Sequence, residues 1–340
     1  MNINIDITHI FLYKFLRRCN ILGKVINYFV NTNFPEKVSF EYDNFKGLRV
    51  HLSLNNCISE EIDECFKNMM TESLKKDLRM EIIRDSLDNS IKGMIFPNLS
   101  VGILLEQSFP NSSYSEKATE YFKSAGKIHD QIEKIYISNT DFKKLDQINE
   151  NLIAELFEGK RLGKNANVID RFFGAMTVNK SVNYIENLTD GLYKRYFIKG
   201  RAGTGKSTFM KKIAKAAVDY GYNVEKYHCS FAPDSLDMVV IRELGACIFD
   251  STAPHELFPS KETDRIIDIF SECVVFGTEE KYEEEIQCFQ SMYNEMIHTG
   301  RDCLKEVAEE RKKYNEKNGI RLRDYEKEFI ENIIKMIKSV

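Results

Sequence analysis

One eight-residue segment, residues 200–207, constrains this chain more than any other part of its sequence. It reads Gly-Arg-Ala-Gly-Thr-Gly-Lys-Ser and fits the pattern G-x-x-x-x-G-K-[S/T]. A short apolar run, Tyr196-Phe197-Ile198, precedes it, and Phe209, Ile213 and Ala216 follow at helical spacing. The order strand, glycine-rich loop, helix is what this pattern requires to hold a phosphate group. The segment therefore predicts a phosphate-binding loop.

The chemistry of such a loop follows from its backbone. Successive N–H groups converge on an anion, and the N-terminal end of the next helix adds positive potential. Lys206 is expected to reach the β- and γ-phosphates, and the Ser207 hydroxyl to bind Mg²⁺. We predict ATP and Mg²⁺ as ligands, because the chain has no Asn-Lys-x-Asp element of the kind that recognises guanine. The alternative is a plain glycine-rich turn before a helix. The predicted nucleotide contacts are Gly200, Arg201, Ala202, Gly203, Thr204, Gly205, Lys206, Ser207 and Thr208.

Asp250 is the second predicted magnesium ligand. It ends the apolar run Gly-Ala-Cys-Ile-Phe at residues 245–249, which predicts a strand with a carboxylate at its end. Such a group would lie at the carboxyl edge of a sheet, beside the phosphate loop. The alternative is that Asp250 only caps the turn at residues 251–254. No Glu follows Asp250, so the usual neighbouring base of many ATPases is missing.

Further polar residues are candidates for catalysis with Lys206 and Asp250. Asp234 or Asp237 could orient a water or an acceptor hydroxyl. Alternatively, Asp234 or Ser235 caps a helix after Pro233.

Two histidines and two arginines are weaker candidates for phosphate contacts. His228 ends a predicted strand at residues 224–228, and His255 follows the Asp250 turn. Arg201 and Arg242 could also face phosphate. For all four, a structural or solvated role is the simpler interpretation.

The first half of the chain repeats the plan of the second in altered form. Residues 85–88 and residues 234–237 are both Asp-Ser-Leu-Asp. The segment that this match places opposite the phosphate loop, residues 51–58, has neither glycine nor lysine. Backbone amides cannot curl closely around a phosphate there without the conformational freedom of glycine. We therefore predict a duplication whose first copy has lost its loop. Further matches are Gly47-Leu48 with Gly191-Leu192, and Leu99 and Ile103 with Leu244 and Ile248.

The predicted fold class is α/β: a parallel sheet of the P-loop type flanked by helices, duplicated, with long coiled-coil-like helices. The predicted domains are residues 1–160 (pseudo-domain), 161–277 (intact P-loop domain) and 278–340 (antiparallel helical hairpin). Two periodic apolar runs support the hairpin, with Asn318-Gly319 as the turn between them. They are Tyr282, Ile286, Phe289, Tyr293 and Met296, and Tyr325, Phe329, Ile333 and Ile337.

Composition and charge limit the function classes. The net charge of −4 argues against a general nucleic-acid coat. Eight cysteines without a C-x-x-C pair favour reduced thiols, and we expect a cytoplasmic protein. Residues 10–30 predict an amphipathic helix, because charged residues interrupt every apolar run too often for a transmembrane segment.

These residues resemble those of a poorly characterised bacterial family of tandem P-loop ATPase-like proteins. The resemblance covers most of the chain, and it is strongest over residues 171–275, through residues 200–207, 227–229, 234–237 and 250–255. The family pattern has a phosphate loop in both halves, and this sequence departs from it in the first. The resemblance implies ATP binding and hydrolysis, but no substrate.

Three functions remain open from the sequence. The first is an ATPase that couples nucleotide state to a protein partner, with Arg79 or Arg84 of the first half offered to the γ-phosphate. The second is a small-molecule or nucleotide kinase. The third is a nucleotide-dependent binding or assembly module with negligible turnover. The coiled-coil seam could close within one chain or between two copies in a homo-oligomer.

Overall fold

Two mixed β-sheets flanked by helices form the core of the protein. The computed structural model describes residues 25–57, 59–107, 111–253 and 255–340. The first sheet has the order β1-β5-β6-β7-β4, and the second has the order β15-β11-β14-β13-β12-β8. The strands of the first sheet are β1 (Val25–Tyr28), β4 (Val50–Asn55), β5 (Met80–Arg84), β6 (Ile91–Phe96) and β7 (Val101–Glu106). Those of the second are β8 (Val168–Phe172), β11 (Lys194–Lys199), β12 (Val224–His228), β13 (Leu236–Ile241), β14 (Ala246–Asp250) and β15 (Arg265–Asp268).

Helices and two small hairpins complete the described part of the chain. The hairpins pair β2 (Asn31–Thr32) with β3 (Val38–Ser39), and β9 (Gly174–Met176) with β10 (Ser181–Asn183). The helices before residue 200 are α1 (Glu41–Phe45), α2 (Ser59–Lys75), α3 (Ser113–Ser138), α4 (Phe142–Phe157) and α5 (Ile185–Thr189). The later ones are α6 (Lys206–Asp219), α7 (Ile269–Cys273), α8 (Thr278–Lys281), α9 (Glu283–Asn318) and α10 (Asp324–Ser339).

The α/β class is confirmed, but the expectation of a purely parallel sheet is wrong. In the second sheet β8–β12, β14–β11 and β11–β15 are parallel, whereas β13 is antiparallel to both of its neighbours. The reason is loop length. Only residues 229–235 separate β12 from β13, and residues 242–245 separate β13 from β14. A parallel crossover needs a dozen or more residues, so these connections make hairpins.

The two sheets share one pattern of strand order and direction. In the first sheet β1–β5 and β7–β4 are parallel, and β6 is antiparallel to both of its neighbours. A short 3₁₀ helix joins β6 to β7 at Pro97–Leu99, and another joins β13 to β14 at Arg242–Leu244.

This pattern corrects two sequence matches. Residues 85–88 lie in the loop after β5, whereas Leu236 and Asp237 already belong to β13. The two Asp-Ser-Leu-Asp segments therefore occupy different places. Residues 51–55 lie inside β4, so the segment that joins this strand to the next helix, as residues 200–205 join β11 to α6, is residues 56–58. It remains free of glycine and lysine.

The two halves exchange helices. Helix α4 packs against α6 on the second sheet, and its Leu152 and Leu156 share a core with Phe209 and Ile213. Helix α10 packs against α2 on the first sheet through residues such as Ile333. Helix α4, which follows the first sheet along the chain, thus covers the second sheet. Helix α10, which follows the second sheet, covers the first.

The long helices α3 and α9 pack along each other. A Cβ at Gly300 would lie 2.7 Å from the Phe122 ring, so this glycine permits the close approach. Helix α9 therefore packs mainly against α3, and α10 packs mainly against α2. The antiparallel hairpin predicted for residues 278–340, in which these two helices pack against each other, is wrong. Periodicity shows that a helix has an apolar stripe, but it does not show which helix covers that stripe.

Other predictions meet the structure only in part. Residues 1–24 lie outside the described residues, and Val25–Tyr28 is a strand, so the predicted N-terminal helix does not reach Val30. The seven described cysteines are free thiols. No helix among the described residues is both long and apolar enough to cross a membrane.

A buried polar network joins the two sheets. Arg171 of β8 lies 2.6 Å from Glu81 of β5, and both side chains are less than 8 % exposed. The Tyr28 hydroxyl also donates to Glu81 at 2.8 Å, and Arg171 Nε donates to Asn44 Oδ1 at 2.7 Å. Apolar residues from both sheets surround this network. Nearby, Phe29 and Phe172 exchange two backbone hydrogen bonds.

Substitution Arg171→Ala should lower the free energy of unfolding by about 3 kcal/mol, because it removes the buried cation of the pair and leaves the Glu81 carboxylate with only the partly exposed Arg79. Urea denaturation followed by circular dichroism measures this. The control is Arg265→Ala, whose partner Glu155 is about half exposed, and which should cost no more than about 1 kcal/mol. Equal losses in the two variants would contradict the assigned role of the buried pair.

Candidate functional site

The predicted phosphate loop joins β11 to α6 at the carboxyl edge of the second sheet. Gly203 and Gly205 have φ values of +79° and +91°, in the left-handed region that favours glycine. Strand β14 lies parallel to β11, with Asp250 in register with Ile198. The carboxylate that ends β14 therefore lies beside the loop that follows β11.

Lys206 lies at the centre of this edge. Its Nζ is 3.5 Å from Asp250 Oδ2 and donates to the carbonyl oxygens of Gly200 and Arg201 at 2.9 and 2.8 Å. The side chains of Lys206 and Asp250 are 13 % and 14 % exposed. The ammonium group is thus held between the loop carbonyls and the Asp250 carboxylate.

Ser207 and Thr252 connect the loop to the neighbouring strands. Ser207 Oγ accepts a hydrogen bond from the Leu236 N–H at 2.9 Å, at the start of β13. Thr252 N–H donates to Asp250 Oδ1, and Thr252 Oγ1 donates to the Gly200 carbonyl, both at 2.9 Å. Asp250 therefore caps the turn after β14 while its other oxygen faces Lys206. The two interpretations of Asp250 are compatible.

Asp237 lies in the same cluster. Continuing the β13–β14 register from Met238–Phe249 places Asp237 opposite Asp250. Burial and the neighbouring Asp250 carboxylate raise the pKa of Asp237 to about 7, although the Cys229 thiol hydrogen-bonds to it and Lys206 is close. Such a group changes its charge near neutral pH.

Asp234 does not join this cluster. It is exposed on the turn before β13, so the structure separates it from Asp237. The alternative that Asp234 or Ser235 caps a helix is wrong, because a turn and then a strand follow Pro233.

The remaining candidates have structural partners. His228 bonds to Asp170 at 2.8 Å and to the Pro233 carbonyl at 2.6 Å. Arg242 pairs with Glu225 at 2.5 Å.

His255 lies close enough to the cluster for Asp250 and Lys206 to affect its titration. Burial lowers its pKa, and Asp250 opposes that shift. Its ring packs edge-on against Phe173, with centroids 4.9 Å apart.

The side chain of Arg201 points out of the loop and contacts a second group of residues. Its Nε donates to Glu279 Oε1 at 2.7 Å, and the Tyr136 hydroxyl donates to the same oxygen at 2.9 Å. The two first-half arginines are engaged elsewhere: Arg79 pairs with Glu81, and Arg84 Nε donates to Asn27. These contacts direct Arg79 and Arg84 into the first half rather than towards residues 200–207.

The sequence analysis missed the outer wall of the loop, which helices α3 and α4 supply. A Cβ at Gly203 would clash with the Glu133 backbone, lying 2.9 Å from its Cα. A Cβ at Gly205 would lie 2.6 Å from Leu145 Cδ2 and 3.2 Å from Phe142 Cε1. No sign of these contacts appears in the sequence, because the periodicity of α3 and α4 does not show that these helices pack against the second sheet.

Comparison of the chain with models of protein families, with curated proteins and with solved structures found no match to any of them. The resemblance to tandem P-loop proteins therefore rests on the sequence motifs alone.

Substitution Asp237→Asn should make the protein more stable at pH 8, by on the order of 1–3 kcal/mol. A carboxyl whose pKa is raised on folding binds its proton more tightly in the folded state. The stability that it contributes is therefore present at about pH 4 and is lost as the pH rises towards 7. Urea denaturation at pH 5 and pH 8 should show a larger gain at pH 8. The control is Asp234→Asn, the same change at an exposed position, and an equal gain there would contradict the prediction.

Substitution Gly203→Ala should destabilise the protein more than Gly277→Ala. Both glycines have positive φ, so both changes cost about 1–2 kcal/mol of backbone strain. Only Gly203 faces the Glu133 backbone, whereas a Cβ at Gly277 meets nothing within 4 Å. Melting temperatures measure the difference, and equal losses would show that the contact between α3 and the loop is loose.

Proposed function

We propose that this protein binds Mg-ATP at residues 200–207 and hydrolyses it. One observation carries the proposal: Lys206, at the first turn of α6, lies between the loop carbonyls and the carboxylate of Asp250. Together with two left-handed glycines in the loop, this arrangement supports binding of a polyphosphate.

The residues present fit a magnesium ion. Ser207 and Asp250 offer a hydroxyl and a carboxylate oxygen, which are the ligand types that Mg²⁺ prefers. Asp237 stands opposite Asp250 in the continued β13–β14 register, so a second carboxyl group lies close to the first. When bound, Mg²⁺ would neutralise charge on the β- and γ-phosphates. Lys206 would hold the same phosphates, and the backbone N–H groups of the loop would fix their position.

We further propose that the two halves arose by duplication and that only the second binds nucleotide. The shared strand pattern supports the duplication. Support for the loss comes from residues 56–58, which lack glycine and lysine. In addition, the segment before α10 packs on this loop. The Ile320 N–H donates to the Asn56 carbonyl at 2.9 Å, and Ile320 forms an isolated parallel β-bridge with Cys57.

Coupling to a protein partner is the role that we favour. Helices α3 and α4 contact the loop directly, so a change in the loop would be transmitted to the long α3–α9 pair. The Arg201–Glu279–Tyr136 group links the loop to the same helices.

A kinase is the second candidate. Asp237 favours it, because a carboxyl with a pKa of about 7 beside the phosphate site could accept the proton of an acceptor hydroxyl. The third candidate, a binding module with negligible turnover, is favoured by the absence of a Glu after Asp250.

Substitution Lys206→Ala should abolish or severely weaken nucleotide binding. Wild-type protein should gain about 2.7 kcal/mol of stability from Mg-ATP at 100 times the dissociation constant. The control is Lys212→Ala, on the same helix, whose contact with Asp146 is exposed. A melting temperature of the wild-type protein that millimolar Mg-ATP leaves unchanged would contradict the proposed function.

The reaction type is decided by following ADP and free phosphate separately. Equal release of both, absent in Lys206→Ala, indicates an ATPase. ADP without phosphate, formed only with an added acceptor, indicates a kinase. Binding without either product indicates a binding module.

A further inference from the structure

One carboxylate, that of Glu279, connects the loop at residues 200–207 to both long helices. Arg201 Nε donates to Glu279 Oε1 at 2.7 Å, and the Tyr136 hydroxyl donates to the same oxygen at 2.9 Å. Arg201 belongs to the loop, and Tyr136 lies two residues before the end of α3. Glu279 belongs to α8, which only Tyr282 separates from α9. The contact therefore lies where the loop, the end of α3 and the approach to α9 meet.

The side chain of Arg201 is held by a different set of contacts from its backbone. The guanidinium carbon lies 5.3 Å from the centre of the Phe270 ring, which adds a cation–π contact to the bond with Glu279. The Arg201 carbonyl accepts hydrogen bonds from Lys206 Nζ and Thr204 Oγ1, both at 2.8 Å. An exchange of partners by the side chain can therefore leave the backbone of the loop in place.

The ion pair between Arg201 and Glu279 is weak enough to be exchanged. The two side chains are 49 % and 37 % exposed, so solvent screens their attraction. Pairs at such exposure change an equilibrium constant by a factor of about five or less. A phosphate group carries more negative charge than a carboxylate, and it accepts two parallel N–H groups from a guanidinium. A polyphosphate in the loop would therefore be a stronger partner for Arg201 than Glu279 is.

Arg201 is also placed to reach such an anion. Its carbonyl oxygen is 2.8 Å from Lys206 Nζ, so its side chain begins beside the ammonium group that would hold the phosphates.

We propose that Glu279 and a bound polyphosphate compete for Arg201, so that binding of the anion breaks the contact between the loop and α8. This inference rests on the proposed function and concerns the regulation of the same site. After the exchange the Arg201 guanidinium contacts phosphate oxygens, whereas Glu279 keeps the Tyr136 hydroxyl. The state of the loop is thereby passed to the segment that leads into α9.

The expected change is local. Phe122 of α3 and Gly300 of α9 contact each other far from Glu279 along the pair, and they do not depend on Arg201. The two long helices therefore stay together, while residues 275–286 lose a restraint. Four backbone hydrogen bonds protect this segment, donated by the N–H groups of Thr278, Lys281, Tyr282 and Ile286.

The first test measures binding of inorganic triphosphate with Mg²⁺ by calorimetry. Glu279→Gln removes the charge that competes for Arg201, so the affinity should rise about two- to fivefold. The matched control is Glu280→Gln, which removes the same charge from the next residue, an exposed one, and should change the affinity less. When Arg201→Gln is already present, adding Glu279→Gln should give no gain, because the group in competition is gone.

The second test follows hydrogen–deuterium exchange of residues 275–286. In Glu279→Gln without any ligand, exchange of this segment should be faster than in the wild-type protein, because one restraint is lost. Inorganic triphosphate should speed it in the wild-type protein and should add little in Glu279→Gln. Glu280→Gln should exchange like the wild-type protein.

The possible failures are distinguishable. Equal affinities of Glu279→Gln and Glu280→Gln would overturn the competition and leave binding at residues 200–207 intact. A gain that persists in the Arg201→Gln background would also overturn it, because the effect would then be one of general charge. Unchanged exchange of residues 275–286 on binding would overturn the transmission to α9. If the wild-type protein binds neither triphosphate nor Mg-ATP, the proposed function fails, and this inference fails with it.

Discussion

The buried pair of Arg171 and Glu81 determines how the two halves of this protein fit together. Removing both charges from water costs several kcal/mol per ion, and only well-placed partners offset that cost. Tyr28 and Asn44 supply such partners, and the Arg171 guanidinium lies 3.9 Å from the centre of the Tyr28 ring. A different orientation of the two sheets would separate the Arg171 guanidinium from the Glu81 carboxylate and leave Glu81 with only the partly exposed Arg79. The network therefore selects one arrangement, while the apolar residues around it supply most of the stabilising area.

That arrangement makes the helix exchange possible. Once the sheets face each other, α3 can leave the first sheet, cross the edge of the second and continue into α4 beneath it. The loop at residues 200–205 belongs to the second half of the chain, and helices α3 and α4 of the first half pack against it. Gly203 and Gly205 are required twice, since each has a positive φ and each faces a neighbouring helix too closely for a side chain. Opening of the α3–α9 pair and deformation of the loop are consequently linked by direct contact.

Much of the local structure could be predicted from the sequence, because the determining interactions are local. The strands at Val224–His228 and Ala246–Asp250, and the place of Lys206 beside Asp250, follow from apolar runs and a glycine-rich loop. The direction of β13 was missed although the short loops around it require hairpins. The partners of α9 and α10 could not be predicted, because an apolar stripe does not identify its cover.

The two sheets have different polar residues at their edges. In the first half, the long helix α9 meets the loop that joins β5 to β6. Arg311 with Asp85 and Asp88 satisfies this position with buried charge, and a bound anion there would have to compete with two carboxylates. Ile320 covers the neighbouring loop through the Asn56 carbonyl. In the second half, the loop after β11 leads to Lys206, which lies 3.5 Å from Asp250. The first half therefore closes its sheet edge with a buried ion pair and a backbone hydrogen bond, whereas the second leaves Lys206 and Asp250 partly exposed.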